Sequence, residues 1–136
     1  MARRLCGVVG SALLAFCGVT GCGAVAERQD DVRDTAAIFE QARREGDYER
    51  GCAVLAPGTV VELETSSGGP CAKALREEPP PAGGPVRRTD VYGNQARAVL
   101  AADTLFLSHF TTGWKIVAAG CERQPQGPYQ CRIKGG

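Results

Sequence analysis

Four prolines within eight residues divide this chain into two unlike halves. The segment from Glu78 to Pro85 reads Glu-Pro-Pro-Pro-Ala-Gly-Gly-Pro. Proline fixes φ and lacks the N–H that a helix interior or a central strand needs, so neither element can run through it. The segment therefore predicts a stiff, extended crossover. Whatever precedes it must pack on whatever follows it if the chain is to bury one core. A proline-rich recognition motif is the competing reading, and it suits a run this short and this central less well.

Ahead of the crossover the apolar residues recur at helical spacing. Val32, Ala36, Phe39 and Ala42/Arg43 predict a helix from Asp31 to Glu45, capped by Asp30 or Asp31 and stopped by Gly46. Asp47 caps a second helix from Tyr48 to Ala56, with Cys52 and Leu55 on one face and Pro57 ending it. Thr59 caps a third stretch, Val60 to Glu64, which Ser66-Ser67-Gly68-Gly69 breaks. Pro70 suits the first turn of a short helix through Leu75. After the crossover the period changes to two. Val86 to Tyr92, Gln95 to Ala102, Thr104 to Phe110, Trp114 to Gly120 and Tyr129 to Lys134 read as strands, with turns at Gly93-Asn94 and Thr112-Gly113 and a loop from Pro125 to Pro128. Helices first and an antiparallel meander second predict an α+β fold, its helices on one face of a curved sheet of four to five strands.

The N-terminus predicts export. Arg3 and Arg4 give a positive start, and Leu5 to Phe16 is mostly apolar. That run is too short to cross a hydrocarbon core of ~30 Å comfortably, so a cleaved signal is the better reading. Val19-Thr20-Gly21-Cys22 resembles the bacterial lipobox: an aliphatic residue, a small one, Gly or Ala, then Cys. The resemblance implies cleavage after residue 21 and a thioether-linked lipid on Cys22, with acylation, such as palmitate, on the new amine. Each buried CH₂ contributes roughly 0.8 kcal/mol, so two or three chains hold a protein on the extracytoplasmic side of the cell membrane. Cys17 is the poorer site because bulky Phe16 precedes it. The Arg3-Arg4 pair fits twin-arginine or Sec export alike. On this reading residues 1–21 are the signal, 22–29 are the lipidated cysteine with a short polar tether, and 30–136 form one domain.

Removing Cys6 and Cys17 with the signal, and Cys22 to lipid, leaves Cys52, Cys71, Cys121 and Cys131. An even number in an exported chain predicts disulfides, and four cysteines allow three connectivities. Cys52–Cys71 with Cys121–Cys131 is favoured, since each pair is close in sequence and falls inside one region. A metal site would want tighter spacing, such as Cys-x-x-Cys, and more than one histidine; no metal or other cofactor is expected. With 16 Lys and Arg against 15 Asp and Glu, and no basic run, the chain has no electrostatic footprint for nucleic acid. Abundant Ala, Gly, Arg and Pro with little Lys suggests a high-GC genome, such as an actinobacterial one.

The order of motifs resembles the nuclear-transport-factor-two-like cone, also called the cystatin-like or polyketide-cyclase-like superfamily. The resemblance lies in Phe39-Glu-Gln-Ala-Arg-Arg-Glu-Gly-Asp-Tyr48, in Leu55-Ala56-Pro57, and in Thr112-Gly113-Trp114-Lys115-Ile116-Val117, where a turn glycine precedes tryptophan. More narrowly the chain is similar to small cysteine-bearing lipoproteins of actinobacteria, through Cys52, Ser66-Ser67-Gly68, Cys71 and Ala118-Ala119-Gly120-Cys121. The resemblance covers about Asp31 to Lys134. It implies a curved sheet wrapped on helices around a cone-shaped pocket, often with pairing of two copies through the sheet, so a homodimer is plausible. Relatives include isomerases, cyclases and non-catalytic binding domains, so the fold does not decide the function.

The isomerase pattern wants a tyrosine on the first helix, to donate to the developing oxyanion, and an aspartate base near the end of the second helical region. Here Phe39 takes the tyrosine's place and Leu63 the base's, with Glu62 and Glu64 only as neighbours. One position along a helix turns a side chain by about 100°, so that chemistry does not carry over. His109, the only histidine, could shuttle a proton or be structural. Asp90 and Asp103 could pair as carboxylates, although Asp103 also suits a turn. Ser66 and Ser67 have no placed base. Arg43-Arg44 and Arg87-Arg88 read as solvated faces. The function expected is therefore a non-enzymatic binding or accessory domain for a protein partner or a small envelope ligand. Its pocket would be lined by Phe39, Leu55, Phe106, His109, Phe110 and Trp114. The alternative is a cyclase- or isomerase-like enzyme using His109 or Asp90.

Overall fold

The computed structural model describes residues 21–135, and side chains from Gly23 onward. The expected signal segment, its two cysteines and the lipid on Cys22 lie outside what is described. Four helices come first, α1 (Gly21–Glu45), α2 (Tyr48–Ala53), α3 (Pro57–Ser67) and α4 (Cys71–Glu77). Five strands follow, β1 (Val86–Tyr92), β2 (Gln95–Leu100), β3 (Thr104–Phe110), β4 (Gly113–Glu122) and β5 (Gln130–Lys134). The strands form one antiparallel sheet in chain order, not closed into a barrel. This is the expected α+β architecture, with the helices on one sheet face.

The differences in element bounds have local causes. The first helix starts at Gly21 rather than Asp31, so Gly23 to Gln29 is helical and not a loose tether. Ala24, Ala26, Glu27, Arg28 and Gln29 are good helix formers, and the sheet holds two of them: Arg28 donates to the Gly93 carbonyl and Gln29 to that of Thr89. Asp30 and Asp31 consequently lie inside α1 and cap nothing. The second helix ends at Ala53, because the next residues leave to pair with the sheet. Leu55 bridges Ile116 in parallel, Ala56 N–H donates to the Ile116 carbonyl (2.8 Å), and Ile116 N–H donates to that of Val54 (2.9 Å). Those bonds cover the half of the β4 edge that β5 does not reach. Pro57 then opens α3 instead of merely ending α2, at the position where its missing N–H costs nothing. The helix continues through Ser67 to Gly68, whose φ of +70° closes it. Pro70 stands just before α4, as its N-cap.

One face of the sheet meets the helices. Val32, Ala36 and Phe39 of α1, Leu75 of α4, and Ala98, Leu105, Leu107 and Ile116 of the sheet form a single buried cluster. Alternation along β2 and β3 sends Ala96, Ala98, Leu105 and Leu107 inward and Arg97 and Phe106 to the other face. Both disulfides have the favoured connectivity. Cys52–Cys71 ties α2 to α4, and Cys121–Cys131 ties β4 to β5 at directly paired positions.

The proline crossover is strapped down as well as stiff. Its Gly83 and Gly84 N–H groups donate to Glu40 Oε2 of α1, at 3.1 and 3.3 Å, and the Ala102 N–H donates to the Gly83 carbonyl at 2.8 Å. There is no room for a side chain at Gly83: a Cβ would stand 2.5 Å from Leu100 Cδ2 and 3.0 Å from both Asp103 Cβ and Glu40 Oε1. Gly83→Ala is expected to cost about 1–3 kcal/mol through forced displacement, measured as a fall in the urea midpoint. An unchanged midpoint would show that the crossover is not seated as described.

Candidate functional site

The six residues expected around a pocket do not meet around one cavity. Phe39, Leu55 and Trp114 are buried members of the core cluster, so the space they were expected to line is packed by their own side chains. Phe106 lies on the opposite face of the sheet, its ring edge-on to Tyr129 at 5.0 Å. His109 is exposed at the rim, edge-on to Trp114 at 5.0 Å, and Phe110 beside it is partly exposed. The guanidinium of Arg28 covers Trp114 from the α1 side, 5.4 Å from the ring centroid.

The polar residues weighed for catalysis hold structural positions. Asp90 accepts from Arg97 Nη2 (2.7 Å) and Nε (3.1 Å) on the outer sheet face. This guanidinium, with Arg88 beside it, holds the Asp90 carboxyl below the ordinary aspartate value. Asp103 is elsewhere, buried in the β2–β3 turn, and accepts from the backbone N–H groups of Thr104, Gly120 and Cys121. The two aspartates do not form a pair. Ser66 donates to the Leu63 carbonyl and Ser67 bonds to the backbone of Gly69. Glu64 accepts from the Cys71 N–H and so caps α4. Among the described residues no group of His, Cys, Asp and Glu is placed to hold a metal, and no helix is long and apolar enough to cross a membrane.

Glu40 stands apart from every residue singled out in the sequence. It is buried, with Oε2 on the two crossover N–H groups and on Arg43 Nε at 3.4 Å, while Oε1 has no protein partner. The signal was present in the sequence: Glu40 follows Ala36 by four residues, an acid inside the stripe that Val32, Ala36 and Phe39 define.

Two open surfaces stand out among the described residues. One is a cleft of about 890 Å³ between α3, α4, the crossover and β5, lined by Leu63, Ser66, Glu77, Pro79, Arg132 and Ile133 among others. The other is the outer face of the sheet, where a shallow depression of about 280 Å³ runs between Tyr92, Gln95, Arg97 and Phe106. Arg123 extends that face by lying 5.7 Å over the Tyr129 ring, and its hydrogen bond pulls the Tyr129 phenol below its ordinary value.

Charge separates between the layers. From residue 23 to 85, the helices and crossover carry twelve Asp and Glu against seven Lys and Arg. From residue 86 onward, the sheet carries three against seven. Asp103 is buried and Asp90 is matched by Arg97, so little exposed acid offsets the sheet's cations. The near-zero net charge of the whole chain conceals an acidic helical half and a basic strand half. No protein-family model, no curated protein and no solved structure matches the chain.

Proposed function

We propose that this chain is a lipid-anchored, extracytoplasmic accessory domain that binds an acidic protein partner through the outer face of its sheet. Anchoring is inferred from Val19-Thr20-Gly21-Cys22 behind an apolar, positively led N-terminus, and it accords with two disulfides in the domain. The resemblance to the nuclear-transport-factor-two-like cone stays part of this reading, supported by helices that precede a five-stranded meander. The observation that carries the partner role is the outer face itself. Arg88, Arg97 and Arg123 stand there with Phe106 and Tyr129, and aromatic and arginine side chains are the types enriched where proteins bind one another. Its excess of cations selects an acidic counterpart and speeds encounter with it.

A small envelope ligand is the second reading. The α3–α4 cleft favours it, since it is open, partly apolar and offers Arg132 for an anionic group. The cyclase- or isomerase-like alternative would rest on His109 or Asp90. The first lies against Trp114 at the rim and the second is committed to Arg97.

A photocrosslinking residue placed at Phe106 in the native host tests the partner reading, with Ser66 in the cleft and Val61 on α3 as comparisons. A discrete protein adduct from position 106, absent from 61 and weakened by Arg97→Ala, is the expected outcome. An adduct of twice the chain's mass would identify a second copy as the partner. No adduct at 106, together with a bound small molecule seen by native mass spectrometry and lost on Arg132→Ala, would move the function to the cleft.

A further inference from the structure

Four large apolar side chains stand well exposed among the described residues: Val25 (54%), Val61 (60%), Tyr92 (68%) and Phe110 (37%). Three of the four gather at one end of the domain. Arg28, near the start of α1, donates to the Gly93 carbonyl in the β1–β2 turn and covers Trp114 at the start of β4. Trp114 is paired across the sheet with His109, the neighbour of Phe110, and the His109 N–H donates to the Asn94 carbonyl. The first turns of α1, the β1–β2 tip bearing Tyr92 and the β3–β4 tip bearing Phe110 therefore meet.

The same contacts give the heights. Arg33 reaches the Val86 carbonyl, and α1 runs antiparallel to β1 from there. Arg28 already reaches the Gly93 tip, and the six helical residues from there back to Cys22 rise about 9 Å, under two turns. The helix therefore begins at the end of the domain that carries the hairpin tips.

We propose that this end rests in the headgroup region of a lipid bilayer, with Tyr92 and Phe110 as the inserted side chains. The proposal rests on the reading that Cys22 carries lipid, which places the start of α1 at the membrane. Exposed Glu27 offsets Arg28 nearby, so the aromatic tips rather than net charge set the contact. A ring with one polar end suits the boundary between hydrocarbon and water. A second weak contact beside a lipid anchor fixes how the domain stands, since an anchor alone leaves it free to tumble. Standing on this end, with Tyr92 at its foot, the domain would leave the rest of its outer sheet face, from Arg97 and Phe106 to Tyr129, clear of the bilayer and open to a partner.

The test uses residues 22–136, which contain every residue of the core. With both disulfides formed, Cys22 is the one free thiol, and it couples to a maleimide lipid in phosphatidylcholine–phosphatidylglycerol vesicles that carry a headgroup nitroxide. Trp114, the chain's one tryptophan, reports quenching from beneath the tips. The expected result is clear quenching in the parent and in Val61→Ser, falling in Tyr92→Ser/Phe110→Ser to the level of untethered chain mixed with the same vesicles. Circular dichroism of the double variant confirms that it is folded, and Tyr92→Ser alone should lose part of the signal. Equal quenching with and without the tips, or none in the parent, would overturn the proposal. The tether supplies the lipid, so this measurement does not depend on how the cell treats Cys22. An unlipidated Cys22, found by mass spectrometry of the chain from host membranes, would sink the anchoring reading separately.

Discussion

Replacing Asp103 with alanine is expected to lower the unfolding free energy by about 3–5 kcal/mol, near the top of the range for one substitution. The residue is only 9% exposed. Its Oδ1 accepts from the Thr104 N–H at 2.6 Å and the Cys121 N–H at 2.9 Å, and its Oδ2 accepts from the Gly120 N–H at 3.0 Å. One carboxylate thus ties the β2–β3 turn to the C-terminal end of β4 beside the Cys121–Cys131 bridge. Alanine would leave three N–H groups in the interior without acceptors, and each missing bond costs the full desolvation of its donor. Asparagine keeps one acceptor oxygen but turns an NH₂ toward the Gly120 N–H, so an intermediate loss is expected. Urea midpoints of the three proteins give the order; an alanine variant as stable as the parent would refute the role.

The same carboxyl sets a pH dependence with a definite sign. Burial pushes Asp103 above the ordinary aspartate value, against the pull of its three N–H donors. A group whose value is raised by folding binds its proton more tightly in the folded state. Its contribution is whole below the unfolded value and is lost as pH rises through the folded one. The parent should therefore lose stability across the acid range just above the ordinary aspartate value, relative to Asp103→Asn, which has no such proton to release. Asp90 acts in the opposite direction, since Arg97 lowers its value: its contribution is present above the ordinary value and is lost as pH falls through the folded one. Comparison with the Asp103→Asn protein cancels the Asp90 contribution.

Removing the Cys52–Cys71 bridge as Cys52→Ala/Cys71→Ala should cost about 3 kcal/mol, from the unfolded-chain entropy of a loop this size. Its two cysteines are 19 residues apart. The effect should be concentrated in the helical layer, because α2 has six residues and α4 seven, well below the length of a helix that holds in isolation. The bridge fastens each to the other over a core that includes Leu75. In a domain of this length the loss corresponds to roughly 10–20 °C in Tm. Cys121→Ala/Cys131→Ala should cost less. That bridge closes a separation of 10 residues between strands already paired along β4 and β5. Calorimetry of the two double variants decides the matter, and a larger shift from the second would contradict this account.

Much of the architecture was local and so could be read from the sequence. Four prolines forbid helix and central strand through residues 79–85 whatever surrounds them, and spacings of three to four before them and two after them name the layers. The bridges were legible because Cys52 and Cys71 fall within the helical half and Cys121 and Cys131 within the strand half. The alternation of β3 even carried a warning about the supposed pocket: Phe106 and Phe110 share a parity that His109 and the buried Leu105 and Leu107 do not.

What only tertiary structure decided are the matters that depend on which surfaces meet. Leu55 has the look of a helical residue, yet it leaves the helix because the β4 edge offers its neighbours two backbone partners at Ile116. Nothing in Asp103 itself distinguishes a turn residue from an acceptor for three distant or adjacent N–H groups; the fold brings Gly120 and Cys121 to it. Whether Phe39, Leu55 and Trp114 line a space or fill it depends on how closely α1 approaches the sheet. That distance is set by the sum of many contacts and by no single residue, and here it leaves all three side chains buried in one core cluster.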